Sequence, residues 1–257
     1  MRYRLDLHLH TEASPDSRTT LARAVQEAKR KKIDALAVSD HYHCAAEEVF
    51  SHPLRDGVLL IPAVEYSTEI GHLLGLFLQR PCRTANEDSG RVRFSDAAAA
   101  IHAAGGLCVL AHPFELTAHS AEEIFSVIAA HADTLDGIEI YNCRATKKRP
   151  DANALAAQAA DRFAKPLLRM AGSDAHTPRE IGGAWVEVEA DELTAQALRQ
   201  ALPHPLAYGC GPCRHMALAR SQFIRLRKKK MGLRAALRWC AFAALCALRS
   251  LKGALKR

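Results

Sequence analysis

Aromatic residues are scarce: Phe, Tyr and Trp together make up 6% of 257 residues, and Trp occurs twice. In the basic C-terminal segment they do not interleave with the cations, so no base-stacking platform is written there. The eight cysteines are scattered, with no dense framework. That excludes a disulfide scaffold, and with no secretory signal at Met1 the expectation is reduced thiols in a cytoplasm. Internal repeats and low-complexity linkers are absent from the body, which excludes a solenoid. Between Arg238 and Arg249 the apolar run is ten residues, too short for a bilayer, which needs about 20. Finally, no Asp or Glu occurs from Arg214 to Arg257, a segment with thirteen Lys or Arg. The whole chain carries 35 basic and 28 acidic residues, so residues 1–213 hold 35 − 13 = 22 basic residues and are net −6. An acidic body precedes a strongly basic tail.

What is present begins at once. In "YRLDLHLH", Leu5, Leu7 and Leu9 alternate with His8 and His10. On a strand, residues two apart share a face, so both imidazoles project together. Two neutral imidazoles converging this way suit a metal ion.

The body then alternates strand-like and helix-like segments. "TLARAVQEAKRKK" predicts an amphipathic helix with Leu21, Val25 and Ala28 on one face and Thr19 or Thr20 as N-cap. "IDALAVSDH" predicts a strand, "GVLLIPAVEYST" another, and "HLLGLFL" a third. "SDAAAAIHAAG" reads as a short helix with a Ser cap and a Gly stop. There follow strand "GLCVLAHP", helix "SAEEIFSVIAAHA", strand "GIEIYN", helix "DANALAAQAADRFA" and strand "PLLRMAGSDAH". Residues 80–94 read as a polar exposed loop. Apolar strands alternating with helices imply a parallel sheet with right-handed crossovers. A barrel suits this many units, and an open doubly wound sheet has the same pattern.

The polar residues of these segments cluster at strand ends. His8 and His10 end the first strand, Asp40 and His41 the second, and Glu65 the third; His72 opens the next. His112 ends "VLAHP", Glu139 and Asn142 end "IEIYN", and Asp174 and His176 end "AGSDAH". Catalytic groups of parallel barrels collect at this end. Chance is a poor account of six histidines and several carboxylates there. Mixed His and carboxylate donors suit Zn, Mn or Fe rather than Ca.

The segments "DLHLHTEASPD", "VSDHY", "PAVEYS", "HLLGL", "LAHP", "IEIYN" and "GSDAH" together resemble, in order, the PHP (polymerase and histidinol phosphatase) family of metal-dependent phosphoesterases. The resemblance covers about residues 1–210. It implies an α/β fold, a distorted (β/α)7 TIM-like barrel with two or three divalent metals at its mouth. It also implies that His8, His10, Glu65 and Asp174 hold the first metal, that Glu65 bridges to a second completed by His72 and His112, and that Asp16, His41 and His176 form a third site. Some members have His where Asp16 stands. Asp40 is expected to orient a ligand His, Glu139 and Asn142 to do likewise, or Asn142 to touch substrate. The implied reaction is hydrolysis of a phosphomonoester, a small phosphate ester or a nucleotide, with His41 or His176 placing a third ion or protonating the leaving oxygen. Arg144 is the best candidate for a phosphate contact, and Arg179 a weaker one. The short span between His72 and His112 lacks the helical insertion of members that degrade RNA, which predicts a more open site. A 5′→3′ exonuclease on short RNA or DNA is the alternative. A barrel without catalysis, kept as a binding module, predicts missing ligands, and none is missing here.

His43, His52, His102, His119, His131, His204 and His215 fall outside these motifs and receive no role. Cys210 and Cys213, followed by His215, read as half a zinc knuckle, a redox pair or a plain turn. The chain divides into a phosphoesterase body, 1–213, and a tail, 214–257, read as one basic helix with Arg220, Arg227, Arg234, Arg238, Arg249, Lys252 and Lys256 in a stripe. Three partners fit it: the body or a second subunit, an anionic membrane surface in a membrane-peripheral protein, or nucleic acid.

Overall fold

The computed structural model describes residues 1–42, 44, 46–84, 91–115, 119–163, 165–213 and 215–254, without the side chains of 252–254. His43, Lys256, the side chain of Lys252 and part of the 80–94 loop therefore lie outside the described residues.

In chain order the first half contains β1 (Arg2–Leu9), α1 (Leu21–Lys31), β2 (Ala35–Val38), α2 (Glu47–Ser51), β3 (Leu54–Arg55), β4 (Val58–Pro62), β5 (Val64–Thr68), β6 (Gly71–Leu76), α3 (Phe94–Ala103) and β7 (Leu107–Ala111). The second half contains α4 (Ala121–His131), β8 (Gly137–Asn142), α5 (Ala145–Lys148), α6 (Ala152–Arg162), β9 (Leu168–Gly172), a 3-10 turn (Pro178–Glu180), β10 (Ala184–Glu189), α7 (Ala195–Ala201), β11 (Ala207–Cys210), α8 (His215–Lys228) and α9 (Leu233–Ala254).

The mixed α/β class is as expected, but the strands do not close into one continuous (β/α)7 ladder. They form two mixed sheets, ordered β11-β10-β1-β2-β4-β3 and β5-β6-β7-β8-β9. One cause is the β5–β6 connection: Thr68 pairs with Gly71, a two-residue hairpin too short for a parallel crossover. β6 therefore runs antiparallel to both β5 and β7. A second cause is Pro62. The segment read as one strand over 58–68 is two: β4 pairs with β2 as far as Pro62, whose ring nitrogen has no proton to donate, and β5 enters the other sheet from Val64.

The sheets meet through single bridges at both seams, Leu9 to Ala175 and His41 to Glu65. At the first, His10 N donates to Ala175 O and Asp174 N to His8 O, each at 2.8 Å. At the second, Glu65 N donates to Asp40 O at 3.1 Å and Tyr42 N to Glu65 O at 2.9 Å. Below the seams, Leu5, Ala37 and Ile61 of one sheet pack into the same core as Leu74, Val109 and Met170 of the other.

Helix termini follow local chemistry. Thr20 caps α1 by accepting Arg23 N, and Ser120 with Glu123 forms a capping box on α4. The Ser cap expected for α3 is corrected: the helix starts at Phe94, before Ser95, and its first N–H donates to the Glu69 carboxylate at 2.8 Å. The single tail helix is also corrected. Lys230 adopts φ 47°, and the chain turns back between Lys228 and Leu233. α8 and α9 then form a helical hairpin, in which Trp239 Nε1 donates to Ala219 O at 2.8 Å and its ring packs, tilted, against Phe223 with centroids 4.7 Å apart.

Candidate metal centre

β1 carries two imidazoles to one point: His8 Nε2 and His10 Nε2 are 3.3 Å apart, and both residues are buried. Glu65, at the other seam, projects into the same space. Its Oε1 lies 2.8 Å from His72 Nδ1, 3.4 Å from His112 Nε2 and 3.5 Å from His8 Nε2. Its Oε2 lies 2.9 Å from His41 Nδ1 and 3.3 Å from His10 Nε2. Asp174 Oδ1 sits 3.4 Å from His10 Nε2 and 3.8 Å from His8 Nε2. Asp16 Oδ2 is 3.4 Å from His176 Nε2 and 3.8 Å from His41 Nε2. All nine residues singled out as metal ligands thus converge. Their donor atoms form overlapping groups: His8, His10 and Glu65; Glu65, His72 and His112; His8, His112 and Asp174; and His10, His41 and His176. His10 therefore joins the group with His41 and His176 as well as the one with His8 and Glu65, and Asp16 joins none of them.

The donors fit divalent cations. Asp16 Oδ1 is buried and makes no hydrogen bond among the described residues, a costly state unless something else satisfies it, while Glu65 Oε2 and His41 Nδ1 are buried with each other and His10 Nε2 close by. The charge balance agrees. Burial, helped by His176 and His41, pushes His10 down to about 3, so it is a neutral imidazole with a lone pair. Burial alone would raise Glu65 and Asp174. Instead His72, His41 and His8 hold Glu65 well below the usual carboxylate range, and His8, His10 and His176 do the same for Asp174. Against burial, which would lower them, the neighbouring carboxylates raise His8, His41 and His112, the last to about 9. Neutral imidazole and ionised carboxylate are the forms that bind metal, so ions would enter by displacing protons from these rings.

A second layer orients these groups. Asp40 accepts Thr11 N, Thr11 Oγ1 and Ser14 Oγ at 2.7, 2.6 and 2.6 Å, and Ser14 Oγ lies 3.1 Å from His10 Nδ1. Asp40 therefore reaches His10 through Ser14. Glu139 takes His8 Nδ1 at 3.2 Å on one oxygen, and His112 N and Asn142 Nδ2 on the other. Asn142 Oδ1 accepts Arg144 N and Ala145 N, so this buried amide serves Glu139 and the next turn rather than the cleft. Sequence reasoning missed Ser14, Ser67, Glu115 and Asp6. Ser67 Oγ stands 3.1 Å from His72 Nε2, and Glu115 Oε2 stands 3.2 Å from His112 Nδ1. Asp6 accepts Ser173 N, Ser173 Oγ and Gly182 N, tying β1 to the loop that carries Asp174. Its position two before His8, on the same strand face, was the available signal.

The backbone is tight here. A Cβ on Gly172 would lie 2.3 Å from His8 Cβ and 2.8 Å from Glu139 Oε1. Tyr42, His112 and Asp174 adopt positive φ, a conformation that costs energy outside glycine and recurs at functional sites.

Above the donors is a cleft of about 550 Å³. The expectation of an open site is corrected: α8, α9 and the turn between them wall the cleft with Arg225, Lys229, Phe242 and Arg249. Arg91, Lys147 and Lys148 add further positive charge to its lining. Arg144 also lines it, yet its guanidinium is buried and bonds Ser221 Oγ at 2.7 Å and Asp174 O at 3.4 Å. Arg179 lines a different cleft, with Lys31 and Cys213. Among the described residues, Cys210, Cys213 and His215 join no metal-ligand group, and Cys210 and Cys213 are not disulfide-bonded.

Residues 6–74 match the PHP domain, and residues 150–204 match the PHP-associated family. An uncharacterized protein of Methanocaldococcus jannaschii is 28% identical over 150 residues, which is 53% of this chain and 80% of that one. The lesion-specific endonuclease Q of Pyrococcus furiosus superposes with a TM-score of 0.58 at 17% identity, over 81% of this chain. The chain spans 57% of that endonuclease's length; the same endonuclease type is known with a 27-mer duplex bearing an abasic lesion at its active site. An amidohydrolase of Chromobacterium violaceum superposes with a TM-score of 0.57 at 20% identity, covering 84% of this chain and 96% of that one. At these identities the superpositions speak for the fold. Two matched segments, the ordered strand-end motifs and their convergence on one donor cluster make the chain similar to the PHP family.

Proposed function

We propose that the chain is a metal-dependent phosphoesterase that hydrolyses a phosphomonoester, either a small phosphate ester or a nucleotide. The observation that carries this reading is Glu65, one buried carboxylate with ring nitrogens of His8, His10, His41, His72 and His112 within 2.8–3.5 Å. A carboxylate so surrounded is suited to bridging two ions, with His8, His10 and Asp174 on one side and His72 and His112 on the other. Asp16, His41 and His176 would hold a third. Zn, Mn or Fe match these donors. When bound, such ions supply the positive charge that activates water and neutralises the phosphoryl oxygens.

The chain's own residues do the rest. Glu139 and Ser14 fix the rings of His8 and His10. The cationic lining of the cleft attracts an anionic ester and holds its charge as it builds up. Water oxygen adds to phosphorus, the bond from phosphorus to the ester oxygen breaks, and a proton from water ends on the departing oxygen. In this reading His41 or His176 gives that proton where the third site is empty. His176 Nδ1 donates to Asp174 O at 2.9 Å, which leaves Nε2 facing Asp16 at the cleft. Arg144 acts as a positioning residue for the Asp174 loop. In this reading residues 1–213 carry the chemistry, and 214–257 form the tail that walls its mouth.

A second reading is a 5′→3′ exonuclease on short RNA or DNA. It is favoured by Arg225 and Lys229 at the mouth, where they would meet backbone phosphates, and by the likeness to a DNA-cleaving endonuclease. Product analysis with added Mn²⁺, comparing small phosphomonoesters with a short 5′-phosphorylated RNA, separates the two. Inorganic phosphate from the small esters with RNA untouched supports the first, and stepwise release of mononucleotides supports the second. No turnover of either, in protein shown to hold metal, would leave a binding module.

A further inference from the structure

The tail has two faces with opposite surroundings. Phe242, Cys246 and Arg249 of α9 turn to the cleft. On the opposite side, Leu233, Leu237, Leu248 and Leu251 are 77%, 62%, 58% and 62% exposed, and Leu245 is also exposed. At 100° per residue these five leucines fall within a 120° arc, with Leu237 and Leu248 near its middle. Arg234 and Arg238 lie at one edge of that arc, and both are exposed. From Leu233 to Leu251 the stripe runs about 27 Å at 1.5 Å per residue. Single exposed leucines are ordinary, but an aligned set of five on one helix is a contact surface.

We infer that α9 docks flat on an anionic lipid surface, its leucines entering the boundary between headgroups and acyl chains and its arginines meeting lipid phosphates. Charge selects this occupant. A second copy of α9 would set arginines against arginines, and the segment from Arg214 to Arg257 holds no Asp or Glu to offset them. Nucleic acid would satisfy the arginines but leave the leucines in water. Trp239 is not an anchor, since its indole is committed to Ala219 O. No described helix is long and apolar enough to cross a membrane, so the helix lies on the surface. Because the stripe lies on the side of α9 away from the cleft, docking leaves the catalytic mouth turned from the lipid.

The test is co-sedimentation of the full chain with sucrose-loaded vesicles at about 0.15 M salt. Vesicles of phosphatidylglycerol and phosphatidylcholine are compared with phosphatidylcholine alone. The expected result is sedimentation with the anionic vesicles only. Replacing Leu237 and Leu248 together by Asp should lower the partition at least about tenfold with an unchanged circular dichroism spectrum, and Arg234→Glu with Arg238→Glu should also lower it. A wild-type chain that stays in the supernatant overturns the inference. So does a Leu→Asp pair that sediments like wild type, which would mean charge alone. Light scattering that shows a dimer dissolved by the Leu→Asp pair, without vesicle binding, would assign the stripe to a second copy instead. A failure here leaves the phosphoesterase reading untouched, since that is scored by product release without lipid.

Discussion

The cleft floor and the tail that walls it are built on opposite terms. Floor side chains are buried, and nearly all are engaged twice: His8 meets Glu139 on one ring nitrogen and faces Glu65 on the other, and His10 meets Ser14 and His8. Tail cations such as Arg234 and Arg238 are exposed, where charges are screened and side chains are free to turn. The contrast teaches where rigidity is placed. A donor set that must hold ions at fixed spacing is over-determined from a second layer, whereas a surface that meets a partner can remain loose until it does. Substitutions on the floor should therefore act together and strongly, and those on the tail should act only when a partner is present.

The largest expected break is Glu65→Gln. It removes the charge between His72 and His112 on one side and His8 and His10 on the other, and turnover with Mn²⁺ should fall to background. Retention of wild-type turnover would sink its assignment as a bridge. Next comes Glu139→Gln, which does not itself line the cleft but loosens His8 and the His112 amide; metal affinity by titration should fall roughly 10–100-fold. An unchanged affinity would show that the first layer holds itself. Asp16→Ala should cost less than either, about tenfold in activity, because it faces only the His41–His176 group. A loss as large as that of Glu65→Gln would make the third group indispensable.

Much of this division was legible from residue order. The period-two spacing of His8 and His10 predicts their shared face, and the strand-end positions of Glu65, His112 and Asp174 predict convergence. What could not be read is long-range pairing. Nothing local says that Pro62 moves the chain from one sheet to the other, or that β6 runs antiparallel, because each depends on partners far along the chain. Ser14 and Glu115 were opaque for a related reason: Ser and Glu are common in exposed loops, and only their placement against His10 and His112 gives them a role. The tail was misread as one helix because Lys229–Met231 carries no helix breaker before Gly232; the turn at Lys230 comes with the packing of Trp239 on Phe223.

The smallest expected effect lies where the two regions touch. Arg144 reaches up from the floor and donates to Ser221 of α8 at 2.7 Å, with both residues buried. Ser221→Ala removes one acceptor from a charge that keeps Asp174 O at 3.4 Å and Glu180 at 3.8 Å. Because those partners remain, the cost should be about 1 kcal/mol in urea unfolding, with the metal affinity of the floor unchanged. If metal affinity falls with it, the tail positions the donors through Arg144, and the floor is less self-sufficient than its dense second layer implies. If neither quantity moves, Arg144 is held by the body alone, and the helical hairpin rests on the mouth through Lys228, which bonds Glu12 O and Ser14 O at 2.7 Å each.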